Sequence, residues 1–411
     1  MASQSPHAPE FEKPPRFDLR LSLLFAAIFV PVGIHLPYFP LWLEQSGFTP
    51  AEIAVVLSAP MFLRVVTTPF FTAYADTVRD RANVLIAVIA ATLLLSLGYL
   101  FEPRYLWVLL VSIAIQIVWT PQAPLADSLA LSGVRRFGTD YASIRKWGSA
   151  SFLAANLAGG ALIAYAGASA VPIIISCALS LAFVASLSAP RLGRPRQASP
   201  FSAATLRAGL PALLTRPFLL VAAGAGFINA SHGLLYGFGT IYWKSIGIGE
   251  TTIGMLWAWA VVAEICVMIA FRRLFSRFSA PGVLLVAGVG AILRWLVFPL
   301  IVPAGGGAVA FFVLQSLHAL STGLLLLGVP KMIVETFGEE RLGAAQGLVF
   351  FAMGLAMAVM TLLSGPVYAA FGVDGFYLAS AAALAGTALI AVAALTPRPR
   401  GRAEKPANPN R

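Results

Sequence analysis

Three apolar stretches carry the groups with which this chain could do chemistry. FFVLQSLHALSTGLLLLGVPK (311–331) is greasy almost throughout, yet Gln315, His318 and Thr322 recur at i, i+3 and i+7. That spacing is one face of a helix, and Ser321 stands beside it. WAWAVVAEICVMIAF carries a single acid, Glu264, and GVGAILRWLVFPL a single base, Arg294. Helices this apolar lie in lipid, so their polar groups must face protein or a water-filled cavity. An acid, a guanidinium and an imidazole on three such segments suit proton coupling. The acid takes a proton while one side is open, and the base favours its release when the other side is.

Further polar groups mark a candidate cavity. In GAGFINASHGLLYGFGTIYW, Asn229, His232 and Tyr236 again fall on one helical face, flanked by Gly226, Gly233 and Gly237. The first apolar run holds Pro31, Pro37 and Pro40 around Gly33 and His35. Prolines this close kink or break a helix where backbone lines a cavity, although an ordinary kinked span is the alternative. Arg64 lies between apolar turns, at a cost of roughly 2.5–3.5 kcal/mol in lipid, so it needs a partner or a ligand. Asp127 follows Pro121 and Pro124, and Arg145 begins the next run, so an Asp127–Arg145 pair is expected. The alternative is an Arg145 that reaches to the membrane surface. Trp119, Trp147, Tyr236, Trp257 and Trp259 could cover a flat ligand or simply fill space. Asp76, Arg79, Asp80 and Arg81 form an acid–base cluster in one loop. It is either a gate that bridges helix ends or a solvated loop.

What positions these groups is a bilayer. Of 411 residues, 59% are hydrophobic and 11% charged, with mean hydropathy +0.83, more apolar surface than a soluble domain hides. Twelve spans of about 20 residues are expected, near 19–43, 51–75, 82–101, 104–132, 140–165, 168–189, 218–243, 251–275, 281–302, 305–333, 342–371 and 373–396. All but four of the 28 Lys and Arg fall in the tails and even-numbered loops or beside them, the exceptions being Arg64, Arg104, Lys244 and Arg294. The net charge of +11 is therefore the positive-inside bias and not a nucleic-acid footprint. Both termini are expected on the cytoplasmic side, and the first span is expected to act as its own insertion signal. The expected division is 1–190, an Arg-, Ser- and Pro-rich linker at 191–217, and 218–411, two six-helix bundles able to rock against each other. Cys177 and Cys266 lie in apolar runs as small hydrophobes, with no disulfide framework. No metal-ligand spacing, nucleophile–base signature or phosphate loop occurs, so neither cofactor nor metal nor enzymatic activity is expected.

The stretches GIHLPYFPLWL, PLADSLA, DYASIRKWGS, ASHGLLYGFGTIYW, VVAEI, LFSRFSA, RWLVFP and LQSLHALSTG cover nearly the whole chain. Together with the twelve-span plan, they resemble the major facilitator superfamily and, within it, the phenylpropionate permease group, whose relatives include lactose permease. The superfamily's loop motif is degenerate here, its glycines missing from TAYADTVRDR. The resemblance implies an all-α membrane protein of two six-helix bundles. It implies that Arg145, ahead of Trp147 and Gly148, matches a sugar-contacting arginine. Glu264, Arg294 and His318 match the permease's eighth-span glutamate, ninth-span arginine and tenth-span histidine. Where lactose permease reads LKTLHMFE this chain reads LQSLHALS, so a lysine becomes Gln315 and a proton-carrying glutamate becomes Ser321.

Coupling is then expected to rest on Glu264, the one carboxylate within the second-half core, with Arg294 and His318. The substrate groups are expected among Asp127, Arg145, Trp147, Asn229, His232, Tyr236, Gln315, His35 and Arg64. The expected activity is proton-coupled symport of a small aromatic acid such as a phenylpropionate, by a monomer working through alternating access in the inner membrane. Sugar or nucleoside symport and proton-driven efflux are the alternatives.

Overall fold

The computed structural model describes residues 12–193, 213–338 and 341–396, and within helices it leaves a few side chains undescribed, Asp76 among them. The basic linker falls mostly outside the described residues, as do both tails. No strand occurs among the described residues. The helices are α1 (Phe17–Gln45), α2 (Pro50–Thr77), α3 (Arg81–Ser96), α4 (Tyr105–Trp119), α5 (Gln122–Phe137), α6 (Tyr141–Ala166) and α7 (Val171–Leu187). After the linker come α8 (Arg216–Ala230), α9 (Gly233–Ser245), α10 (Glu250–Phe275), α11 (Ala280–Val297), α12 (Ala308–Ser316), α13 (Leu324–Thr336), α14 (Leu342–Phe371) and α15 (Phe376–Leu395).

Ten stretches of the described residues are long and apolar enough to cross a membrane. One of them, the 54-residue Leu342–Leu395, holds two expected spans around a short turn at Gly372–Gly375. Pro50–Thr77 is a 28-residue helix outside those ten. The order of helices therefore agrees with the expected plan, and the protein is an all-α integral membrane protein.

Three expected spans are interrupted. The fourth breaks between α4 and α5 at Thr120 and Pro121, and the seventh between α8 and α9 at Ser231 and His232. The tenth passes from α12 through a π-turn at Ala319–Gly323 into α13. Proline accounts for the first break, since Pro121 cannot donate within a helix. The first span behaves otherwise: α1 runs unbroken through Pro31, Pro37 and Pro40. Close packing holds it, because a Cβ at Gly33 would stand 2.7 Å from the Phe152 carbonyl oxygen on α6.

The two halves of the chain touch most closely at the face opposite the basic loops. On the first-half side Tyr38 Oη donates to the Asn156 carbonyl at 2.8 Å, and α10 packs against both groups. A Cβ on Gly160 would stand 2.5 Å from Glu250 O, and one on Gly254 2.5 Å from Asn156 O and 2.7 Å from Tyr38 Oη. The end of α14 crosses the start of α2 in the same way, Gly365 lying against Pro50 and Ala54. Backbone meets backbone at both crossings, as small residues permit in membranes. Cys177 and Cys266 are both exposed on the outer surface of their helices.

Candidate functional site

Arg294 is completely buried on α11, and the surrounding elements supply its partners. Its Nη2 donates to Gln315 Oε1, and its Nη1 to His318 Nδ1 at 2.9 Å and, more distantly, to Ser321 Oγ at 3.5 Å. The guanidinium also lies 4.5 Å from the Trp295 ring. Gln315 in turn donates to the Leu256 carbonyl on α10 at 3.3 Å. His318 is the hub. With Nδ1 accepting from Arg294, the neutral ring carries its proton on Nε2, which points at Glu264 Oε2, 3.4 Å away. Arg294 thus reaches Glu264 through an imidazole.

The break in the seventh span feeds the same cluster. His232 Nδ1 lies 3.2 Å from the carbonyls of Ile228 and Asn229, two acceptors, so the proton sits on Nδ1. Nε2 then accepts from Ser321 Oγ at 3.0 Å, and Thr322 Oγ1 stands 3.2 Å from it. The wider π-turn narrows the angle between successive side chains, which lets adjacent residues 321 and 322 address one ring. Ser231 accepts from Trp295 Nε1 at 2.8 Å, securing the break from its other side.

A separate cavity of about 350 Å³ lies between α1, α2, α4, α9 and α14. His35, Arg64, Gln116, Gln122, Tyr236 and Thr361, with Ser112 and Thr120, supply polar groups, and Phe29, Phe39, Tyr99 and Trp119 most of its aromatic wall. His35 is stacked on Phe39 at 4.3 Å and meets Trp119 edge-on at 5.2 Å. Among the described lining residues Arg64 is the one Arg or Lys, and none is an acid. Gln122 donates to Thr92 at 2.8 Å, while its Oε1 and the Thr361 hydroxyl have no hydrogen-bond partner among the described residues.

Several expected substrate groups stand elsewhere. His232 and Gln315 are buried in the Arg294 cluster and do not line this cavity, because helix breaks and Arg294 turn them inward. Asn229 donates to the Met353 carbonyl at 3.3 Å, tying α8 to α14. Trp147 and Trp259 are exposed at 50% and 42% and do not line this cavity. Trp257 is buried behind Tyr236, ring centroids 6.0 Å apart. Gln116, Gln122 and Thr361 were not singled out from the sequence. The available signal was polarity inside apolar runs, faintest for the lone Thr361.

Asp127 and Arg145 do meet, outside that cavity: Nε stands 3.7 Å from Oδ1, with each side chain about a third exposed. Tyr141 donates to the same Asp127 oxygen at 2.9 Å, and the Arg145 guanidinium rests 4.3 Å from the Phe29 ring and 5.4 Å from that of Phe25. So exposed a pair contributes at most about 1 kcal/mol. Asp127→Asn is accordingly expected to leave the thermal unfolding of the purified protein little changed. A collapse of folding in that variant would contradict this placement.

The loop cluster divides between neighbours. Asp80 accepts from Ala82 N at 2.9 Å, capping α3, and from Gly193 N at 3.3 Å. Arg81 donates to Ser128 on α5 at 2.8 Å, and Arg79 is exposed. The Asp76 side chain lies outside the described residues.

Comparison with known proteins places this geometry. The sequence pattern of the family described as "MFS_1 like family" matches residues 19–379. The chain is 27% identical over 385 residues to the "Probable 3-phenylpropionic acid transporter" of Escherichia coli (strain K12), covering 92% of this chain and 97% of that protein. It is 28% identical over 295 residues to the "Maltose permease" of Geobacillus stearothermophilus, 69% and 70% of the two chains. Among solved structures, the nucleoside transporter NupG superposes with TM-score 0.81 at 14% identity, over 93% of this chain and 100% of that one. A bacterial homologue of the human lysosomal transporter Spinster, in an inward-facing and unoccupied conformation, gives 0.66 at 14% identity over 93% and 96%.

Proposed function

Since the chain belongs to the MFS_1 like family and is a transporter, we propose that it moves a small aromatic carboxylate, such as a phenylpropionate, by proton-coupled alternating access across the cytoplasmic membrane. The observation that carries the substrate class is the cavity itself. It pairs aromatic walls with the Arg64 guanidinium, so a flat anion finds both stacking surface and positive charge. Its volume, about 350 Å³, lies at the lower end of small-molecule sites. The likeness to the phenylpropionic acid transporter supports the same reading.

The test compares a carboxylate with its uncharged amide. A charge-assisted hydrogen bond contributes about 1.5–3 kcal/mol, so Arg64→Gln should weaken carboxylate binding about 10- to 150-fold and leave the amide nearly unaffected. Equal loss for both would move the anion site elsewhere. Sugar or nucleoside symport is the second reading. It draws on Gln122 Oε1 and Thr361 Oγ1, two buried groups suited to hydroxyls, and on the maltose permease relative. Binding of neutral sugars that ignores Arg64→Gln but fails in Gln122→Leu would favour it.

Coupling is assigned to Glu264 with His318 and Arg294, and the gate near the basic loops to Asp76, Arg79, Asp80 and Arg81. Closure at Gly160–Gly254 and Gly365 leaves access from the basic-loop face, which we read as the cytoplasmic one. The protein is expected to work as a monomer within the bilayer. A Cys placed at Glu102 should react with a membrane-impermeant label from outside intact cells, and one at the equally exposed Asp140 should not.

A further inference from the structure

Resting on that proton-coupled reading, we propose that Thr322 is a positioning residue that links protonation at the Glu264–His318 pair, through His232, to the wall of the substrate cavity. Two histidines are bridged by one hydroxyl. Thr322 Oγ1 stands 3.2 Å from His232 Nε2 and 3.3 Å from His318 Nδ1. A hydroxyl has one hydrogen to give, so it can donate to only one of them. With Arg294 donating to His318 Nδ1 at 2.9 Å and Ser321 to His232 Nε2 at 3.0 Å, each ring nitrogen already has a nearer donor, and the Thr322 hydrogen is committed to neither.

One added proton reverses part of this pattern. The titratable groups around His318 are Glu264 from α10, Arg294 from α11, and His232 and Tyr236 from the seventh span. A proton gained by the pair can give an imidazolium beside the Glu264 carboxylate. Alternatively the ring passes its Nε2 proton to Glu264 and keeps the new one on Nδ1. In both arrangements Nδ1 becomes a donor, and the Arg294 bond to it is lost. Arg294 keeps Gln315 and Ser321 as acceptors. The acceptor within reach of Nδ1–H is Thr322 Oγ1, whose own hydrogen is then committed to His232 Nε2.

His232 carries the change to the cavity. Its Nδ1 holds the carbonyls just before the helix break, and its ring lies 6.1 Å from that of Tyr236, which lines the cavity. Proton loading therefore fixes the break and Tyr236, and a substrate packed against Tyr236 favours the loaded state in return. Ser321, where the permease pattern has its acid, donates to the same nitrogen at 3.0 Å. It has no contact with His318 Nδ1 among the described residues, so the bridge falls to Thr322.

The test uses the full chain in liposomes with nitrogen-15 histidine and carbon-13 carboxyl labels, His318 being assigned by loss of its signals in His318→Gln. Acidification is expected to convert His318 Nδ1 from an acceptor to a protonated nitrogen. In Thr322→Val the ratio of protonated to unprotonated Nδ1 at a given pH should fall about tenfold, the effect of about one lost hydrogen bond. Thr322→Ser should restore it, which a merely space-filling role would not predict. A Glu264 carboxyl that titrates while Nδ1 stays unprotonated, or a Thr322→Val profile matching wild type, overturns the bridge and leaves proton coupling standing. If neither Glu264 nor His318 titrates between about pH 4 and 9, the coupling reading itself fails.

Discussion

Glu264→Gln should abolish uphill uptake driven by a pH gradient while leaving exchange of substrate between equal pools intact. Glutamine has the shape of the protonated acid and still offers His318 Nε2 an acceptor oxygen, so the cluster keeps its hydrogen bond across 3.4 Å. What the variant cannot do is bind and release a proton. One pH unit is worth about 1.4 kcal/mol, or tenfold accumulation per proton carried, and the variant should show none of it. Exchange at equal pH needs only a loaded carrier that moves. The competing assignment gives the proton to His318 alone, with Glu264 as its partner. Gradient-driven accumulation that survived Glu264→Gln and vanished in His318→Gln would transfer the role to the histidine.

Gly254→Leu should stop transport by a different route, holding the protein open on the face opposite the basic loops. A Cβ there meets Asn156 O at 2.5 Å, Tyr38 Oη at 2.7 Å and the Gly160 Cα at 3.3 Å. Two of those three atoms are backbone, and packed helices relieve such overlap by separating, not by deforming. The expected readout is loss of both uptake and exchange, with faster labelling of a Cys at Ile34 by a reagent added outside. Gly249→Leu is the matched control, since nothing stands within 4 Å of a Cβ at that position. Normal transport by Gly254→Leu would show that the α6–α10 crossing does not close the path.

Much of this was legible from residues and spacing, for reasons that are local. A helix in lipid must satisfy its own backbone, so apolar length alone predicts where chain crosses the membrane. The 3.6-residue period put Gln315, His318 and Thr322 on one face, and the structure places all three in one hydrogen-bonded network. The scarcity of charge at depth likewise singled out Glu264 and Arg294 before any contact was known. Asp127 and Arg145, drawn together from two runs, stand 3.7 Å apart.

What the sequence by itself determined, then, is the set of spans, their orientation relative to the basic loops, and the few polar groups that bilayer energetics makes conspicuous. Tertiary structure alone decided which of those groups share a space. His232, Asn229 and Tyr236 lie on one helical face by periodicity, but the break at Ser231 and His232 sends them to three places: the Arg294 cluster, the Met353 carbonyl and the cavity. The π-turn at Ala319–Gly323 turns Ser321 and Thr322 onto one histidine, a register that a regular helix would not give. The cavity draws Arg64 from α2, Trp119 from α4, Tyr236 from α9 and Thr361 from α14. Periodicity is a property of one helix, whereas a cavity wall depends on how several helices rotate and break against each other. That information lies in side-chain packing across the chain and not in any single stretch of it.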